Sequence, residues 1–426
     1  MKKNYLLLLL LLINTVLFSQ NIDFTNNAGT GDKLWSTATN WTPNGVPSSA
    51  SIVRLPLIVE SLVDADFTIK QILVPFGTSG DVPVGGTNTV TINVAVANAV
   101  AIDNASNNDI KLIFNGKVTI NNSAGFSNMR NSNGTGNSIE FATGSTLKIS
   151  TGFQPSEGSS NDFFFNGKIE GTANLRFGAN TTSTFGNTVS NTGYTGELVQ
   201  LLNSSIIVNT ADDVVFYDGL KIQVNGNNSS ATLNGENVFK SGITVGGTNT
   251  YTFNVNKNQS AMTNIIFQGG GTLNLVVDNA VTNLSFANNS ANPWLTGTVN
   301  ITGFKNGVIR FGTDNTGLTA QQLSQIKATG ITAFALDSEG YLIDAATASV
   351  NDFEENTINP IAYPTISSDI INFKEAQNNV KVFDVNGRVI LHNTAKNQTV
   401  LTVSSLPRGL YFVMFDNKKV EKIIKQ

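Results

Sequence analysis

The sequence predicts an all-β chain: a right-handed parallel β-helix (a β-solenoid), followed by a small antiparallel immunoglobulin-like β-sandwich. Three observations carry this. The first is a repeat: Gly85–Val94 (GGTNTVTINV) recurs as Gly246–Val255 (GGTNTYTFNV), with eight of ten positions agreeing 161 residues apart. In each copy a Gly-Gly turn feeds a strand of period two, so Thr89, Thr91 and Asn93 face one way and Val90, Ile92 and Val94 the other. The second is a run of about 260 residues with short strands and no convincing helix. The third is composition: 13% charged but 40% hydrophobic, with 38 glycines, which excludes a disordered chain and suits tight β turns. A strand unit reused along one chain points to rungs that each bury an apolar face on the next.

Residues 1–19 form an expected secretory signal. Lys2 and Lys3 supply the positive region, Leu6 to Ile13 the apolar one, and Ser19 a small residue before a cut that leaves Gln20 at the new N-terminus. The apolar run is short for a membrane span, so none is expected in the mature chain. Residues 20–50 are expected to cap the solenoid. Trp35, Asn40, Trp41, Gly45 and Pro47 place two tryptophans before a Pro/Gly turn, where they can cover the open first rung. An exposed aromatic platform for sugars is the alternative for these rings.

Residues 51–345 are assigned to the β-helix and its C-terminal cap. Expected strands include Ile52–Val59, Phe67–Val74, Thr89–Val96, Asp109–Phe114, Thr146–Ile149, Ser205–Val208 and Thr272–Val277. The turn Phe-Asn-Gly-Lys occurs at Phe114–Lys117 and again at Phe165–Lys168. Gly and Asn tolerate the backbone that corners need, and Asn at recurrent corners can stack amide on amide. An antiparallel sandwich or barrel also fits short strands. The parallel β-helix is preferred for the length of the helix-free segment, the repeated units and the Val/Ile/Leu/Phe inward positions. At roughly 20 to 25 residues per coil there are about 11 to 13 coils, a rod of roughly 55 to 60 Å. A helix is expected at Thr319–Ala328, with Thr319 as N-cap and Gly330 past its end. A hairpin around Ser338-Glu339-Gly340 follows.

Residues 346–358 are a polar linker and residues 359–426 a separate domain with a different strand rhythm: Asp369–Phe373, Val380–Asp384, Gly387–His392, Val400–Val403, Gly409–Phe415 and Val420–Ile424. Charge shifts too. Residues 346–426 carry nine Lys/Arg and eight Asp/Glu, whereas residues 21–345 carry fifteen and twenty-two.

The last domain resembles the type A sorting domain of the type IX secretion system of Bacteroidetes. The resemblance is carried by Tyr363-Pro364-Thr365, Asp369 with Ile370 and Ile371, Asp384-Val385-Asn386-Gly387-Arg388, Leu406-Pro407-Arg408-Gly409-Leu410-Tyr411 and the terminal Lys419–Lys425. Tyr-Pro-Thr-Ile stands where the family usually has Tyr-Pro-Asn-Pro, which alters the first turn. The resemblance implies passage to the periplasm, then export by the type IX machinery as a partner, to the outer cell surface or the medium. The middle of the chain is more loosely similar to autotransporter-type β-helix passengers. This rests on Asn191-Thr192-Gly193-Tyr194-Thr195-Gly196, the Trp35/Trp41 opening and the segment from Trp294 to Leu323.

Chemistry is bounded by absences. There is no cysteine and a single histidine, His392, so no Ser-His-Asp triad, thiol chemistry or His-ligated metal site can sit in the long N-terminal part. The net charge of -4, without a basic cluster before the extreme C-terminus, argues against nucleic acid. Asp212, Asp213 and Asp218, near Tyr217, form the best carboxylate cluster for acid–base work on a sugar. A solvated turn is the plainer account of them, because neighbours on a strand face opposite sides. Asp64 with Asp66, and Asp337 with Glu339, are the acidic pairs to weigh for calcium, without a recognised calcium loop around them. Phe153 and Phe163 to Phe165 are expected as stacked core rings. No catalytic, cofactor or metal residue is nominated. The expected function is a structural or adhesin-like surface protein with a polysaccharide or cell-surface ligand. A polysaccharide lyase or hydrolase on the same scaffold is the alternative.

Overall fold

The computed structural model describes residues 19–26, 31–134, 136–155, 162–186, 188–348, 361–416 and 419–426. The expected signal, apart from Ser19, and the linker segment 349–358 lie outside the described residues. The chain divides into two units, residues 1–348 and 349–426.

The first unit is a parallel β-solenoid of about eleven turns. Each turn gives one strand to a first sheet and one to a second, both twelve-stranded. The opening turn is Ser51–Arg54, Ser61–Val63 and Phe67–Ile69, and the next is Gln71–Val74, Val82–Gly86 and Thr89–Val94. Pairing is parallel and in register, as in Val53↔Ile72, Val84↔Phe114 and Val90↔Val118. A third face forms a five-stranded sheet from Phe67–Ile69 to Lys168–Gly171, then a three-stranded one of Gln259–Met262, Leu284–Phe286 and Ile309–Phe311. Between them the turns fold inward and bury Tyr194, Tyr217 and Phe239.

Period-two patterning explains the interior. Each strand sends alternate residues inward, and parallel register sets each one on its counterpart a coil away. In the second sheet Phe114, Phe141, Phe165 and Phe185 stack, with centroids 5.1, 5.7 and 4.8 Å apart and planes within 17°. The same column continues through Val208, Leu233, Val255 and Val277. Phe153 and Phe163 are also fully buried, while Phe164 faces out under the Lys111 ammonium. The corners carry the amide stacking expected of them. Asn234 Nδ2 donates to Asn209 Oδ1 at 2.7 Å, and Asn256 Nδ2 to Asn234 Oδ1 at 2.7 Å. Buried amides serve the turn backbone: Asn104 donates to the Ile110 and Ser138 carbonyls, and Asn137 accepts from the Ile110 N–H.

At the N-terminal end Gln20–Phe24 pairs with Ser51–Arg54 in parallel, and Trp41–Thr42 closes that edge antiparallel. Trp35 and Trp41 are fully buried, edge to face at 5.4 Å, with Phe24 and Phe67 against them. The rings are core packing, and no sugar platform is available from them.

Several element boundaries differ from expectation. Phe67–Val74 is two strands, Phe67–Ile69 and Gln71–Val74, which belong to different sheets because the chain turns a corner at Lys70. Ile52–Val59 ends as a strand at Arg54. First-sheet strands start 20 residues apart at the first step and 29 at the second, where loops 75–81 and 95–99 lengthen the coil. The helix is only Ala320–Ser324. Thr319 does cap it, accepting from Gln322 N at 3.2 Å while Gln322 Oε1 accepts from Thr319 N at 2.8 Å. Ile326–Ala328 leaves the helix and pairs with Thr298–Thr302, because that strand's open edge has backbone groups to satisfy. The hairpin forms as expected, Phe334–Leu336 against Leu342–Asp344.

The two copies of the sequence repeat occupy different places. Thr89–Val94 lies in the five-stranded third sheet and Thr250–Val255 in the second. Both bury their apolar side: Val90, Ile92 and Val94 in one, Tyr251, Phe253 and Val255 in the other. In the first copy Gly85 and Gly86 end the strand Val82–Gly86, and Thr87 and Asn88 make the turn.

The second unit packs a three-stranded sheet and a five-stranded sheet around one core that includes Ile371, Phe373, Val382, Leu401, Val413 and Ile423. Its pairing is antiparallel except for Ile366–Ser367, which runs parallel to the last strand, Val420–Lys425.

Candidate functional site

The nominated residues of the second unit fall on two turns and the terminal strand. Val380–Phe383 and Val389–Asn393 are neighbouring antiparallel strands, and the turn between them is built on Asp384. Its carboxylate accepts from Asn386 N at 2.9 Å, Arg388 N at 3.0 Å and Arg388 Nε at 2.8 Å, and Arg388 Nη2 lies 2.8 Å away. The Arg388 backbone N–H, with further help from the guanidinium and the Asn386 N–H, holds the Asp384 carboxyl below the usual carboxylate range. Gly387 sits at φ +76°, the left-handed backbone glycine takes most easily. Asp384, Asn386, Gly387 and Arg388 are therefore one self-bonded loop.

Tyr411 is buried and its hydroxyl donates to the Pro407 carbonyl at 2.8 Å, tying the Leu406-Pro407-Arg408-Gly409 corner to the strand Gly409–Met414. The Leu406 N–H donates to the Val403 carbonyl. The Asp369 carbonyl accepts from Val403 N at 2.7 Å, joining that corner to the start of Ile370–Gln377. Tyr363 and Pro364 lie at the start of the unit, with the Tyr363 ring exposed.

One residue was not singled out from sequence. Glu421, on the terminal strand, accepts from Ile361 N at 2.6 Å and Ala362 N at 2.9 Å, with Lys419 Nζ at 3.6 Å. It fastens the last strand to the first described residues of the unit. A lone acid on an otherwise basic strand is the only sequence signal for it. The chain end is also paired, Gln426 N donating to Ser367 O at 3.1 Å.

In the solenoid the carboxylates weighed from the sequence serve local hydrogen bonds, with Asp212 and Asp213 side by side in one turn. Asp212 Oδ1 accepts from Glu236 N at 2.8 Å, and Asp213 Oδ1 from Asn237 Nδ2 at 2.9 Å. Asp218 Oδ1 accepts from Gly193 N at 3.4 Å. Tyr217 is inside, donating to the Gly196 carbonyl at 2.7 Å, and burial pushes its phenol well above the ordinary value. Asp64 accepts from the Ser36 N–H and hydroxyl, Asp66 from Thr89 N, and Asp337 from Glu339 N and Tyr341 N. Each of these carboxylates thus accepts hydrogen bonds from its own coil or a neighbouring one. Among the described residues no three Asp, Glu or His side chains gather as metal ligands. Two of the open depressions on the described surface bear on this. One, about 430 Å³, lies on the outer face of the first sheet and is lined by Asn98, Asn128, Arg130 and Gln154 among others. The other, about 490 Å³, lies on the third face beside Ser260, Ser285, Asn288 and Arg310. Ser19 and Gln20 are exposed, and Gln20 opens the first strand.

No described helix is long and apolar enough to cross a membrane. No curated protein and no solved structure matches the chain. Residues 362–426 match the family described as the secretion system C-terminal sorting domain. The matched span runs from Ala362, the first strand of the unit, to the last residue, and takes in the Asp384 loop, the Tyr411 corner and the terminal strand. The chain is a type IX secretion sorting-domain protein, with a parallel β-helix ahead of that domain.

Proposed function

We propose that the protein is an adhesin-like structural component of the outer cell surface or the secreted fraction. The solenoid is the passenger and the C-terminal unit its export address. On this account residues 1–19 direct the chain to the periplasm, with cleavage between Ser19 and Gln20. The sorting domain then engages the type IX machinery, and a Thr/Asn-rich face of the rod contacts polysaccharide, another cell or a solid surface. The observation that carries the export half is the sorting-domain match over 362–426. What supports a non-catalytic passenger is the commitment of Asp64, Asp66, Asp212 and Asp337 to turn backbone, with Asp213 held by the Asn237 side-chain amide.

The alternative is a polysaccharide-active lyase or hydrolase. The depression lined by Asn98, Asn128, Arg130 and Gln154 favours it, because its amides suit sugar hydroxyls, the Arg130 guanidinium being paired with Asp103 at 2.9 Å. Reducing-end release from a polysaccharide panel separates the two: sustained release by the purified chain would establish the enzyme. For export, deleting residues 359–426 should leave the passenger in the periplasm of the producing cell. Normal surface or medium levels of that truncation on fractionation would refute the export role.

A further inference from the structure

The outer face of the second sheet changes character halfway along. In its first half one outward column reads Lys111, Ser138, Asp162. From the sixth coil the same column continues as Thr182, Ser205, Ser230, Thr252, Asn274 and Asn300, then meets Lys327 in the last strand. The column two residues along passes Glu140 and Phe164 and then becomes Thr184, Ile207, Thr232, Asn254, Val276 and Thr302. Over six coils neither column holds a charge, although charges stand at both ends of the first. Over the matching coils the first sheet's outer face keeps charges beside its column Val199, Gln223, Thr244 and Ile266: Arg176 lies over the Phe126 ring and Glu197 pairs with Lys221 at 3.4 Å.

This uncharged array is partly locked. Ser230 Oγ donates to Ser205 Oγ at 3.2 Å, Asn254 Nδ2 to Thr232 Oγ1 at 3.1 Å, and Asn300 Nδ2 to Asn274 Oδ1 at 3.1 Å. Such bonds fix side-chain rotamers before any ligand arrives, which lowers the entropy cost of binding. An amide has two donors and an oxygen with two lone pairs, and a hydroxyl one donor and two lone pairs. One bond along the column therefore leaves capacity pointing outward. Rows repeat about every 4.8 Å along the rod and about 6.8 Å between columns, over about 24 Å.

From this we infer that the outer face of the second sheet, over the coils from Thr182 to Thr302, binds a neutral polysaccharide laid along the rod. The inference rests on the adhesive account of the passenger. Hydroxyl and amide rows match sugar hydroxyls, while Ile207, Val276 and the threonine methyls meet the C–H faces of the sugar rings. A face without charges offers nothing to neutralise a uronate or sulfated chain, so an anionic polymer fits it poorly.

The test uses the mature full-length chain and measures its depletion by microcrystalline cellulose, chitin and curdlan, with a calcium pectate gel as the anionic comparison, in low and high NaCl. The expected result is retention by at least one neutral glycan that is unchanged by salt, because no ion pair is involved. Asn274→Lys combined with Thr232→Lys should weaken retention at least tenfold, and Asn274→Ala measurably, each with an unchanged circular dichroism spectrum. Arg130→Ala, on the first sheet, should bind as wild type. Wild-type retention by the lysine variant, loss of retention in salt, or retention by pectate alone would each overturn the assignment. Attachment of chain-coated beads to cells is scored in parallel. Attachment without glycan retention sinks this face while leaving the adhesive account standing; failure of both removes both.

Discussion

Single side chains do two kinds of work here, and they titrate in opposite directions. The phenols of Tyr194, Tyr217 and Tyr251 are pushed far up by burial. A phenol whose folded value lies above its unfolded one adds stability below about pH 10, and that support is lost as pH rises further. The check is an alkaline titration followed by phenolate absorbance. These three should appear only together with the loss of β circular dichroism. Ionisation of all tyrosines with the fold intact would contradict their placement. Asp384 is the reverse case, with its carboxyl held low by Arg388. Its support is present above the unfolded value of about 3.9 and is lost as pH falls below it. The thermal midpoint of the sorting unit should therefore be lower in Asp384→Asn than in wild type at neutral pH, and the gap should close as pH drops below about 4.

At the scale of elements, the same short string does different jobs in different sheets. Gly86 has φ +111°, and an added Cβ would lie 2.2 Å from the Val63 carbonyl oxygen in the coil below. Its counterpart Gly247 has φ +56° and nothing within 4 Å of where a Cβ would stand. Gly86→Ala should therefore cost several times more than Gly247→Asn, since asparagine tolerates the left-handed region. Urea midpoints of the two variants decide this, and equal losses would mean that the two corners are equivalent after all. Short elements are also overridden by their neighbours. The 3.6-residue pattern over Thr319–Ala328 yields one short helix, and its second half becomes the last rung because Thr298–Thr302 has an edge to pair.

Across the whole passenger, stability is passed from coil to coil, because each rung touches mainly the rungs on either side. The phenylalanine column makes this measurable. Phe141 stacks on both Phe114 and Phe165, so Phe141→Ala should cost about 3–5 kcal/mol in urea unfolding. The double variant with Phe114→Ala should fall short of additivity, since the two share one contact. Full additivity would mean that the rings act independently. Localisation belongs to this scale too: because the passenger and the sorting unit are separate units, deleting residues 359–426 should leave the β circular dichroism of the passenger intact.

The β architecture was legible in the chain because burial in a strand follows a period of two, and that period is written locally. Val90, Ile92 and Val94, or Tyr251, Phe253 and Val255, declare their buried side without reference to any partner. The sorting domain was legible for a related reason: its turns are local, and the Asp384 loop bonds almost entirely within itself. Register, corner position and surface chemistry were not legible, because they depend on which residue lies one coil away, some 20 to 29 positions distant along the first-sheet strands of the early coils. By itself the sequence determined that rungs exist and which side of each is apolar. Only the stacked structure decided that four phenylalanines form one column, that the repeat's two copies serve different sheets, and that the outward side chains of six successive coils line up without a charge. Strand periodicity is set by adjacent residues, whereas a column exists only once the coils are superposed.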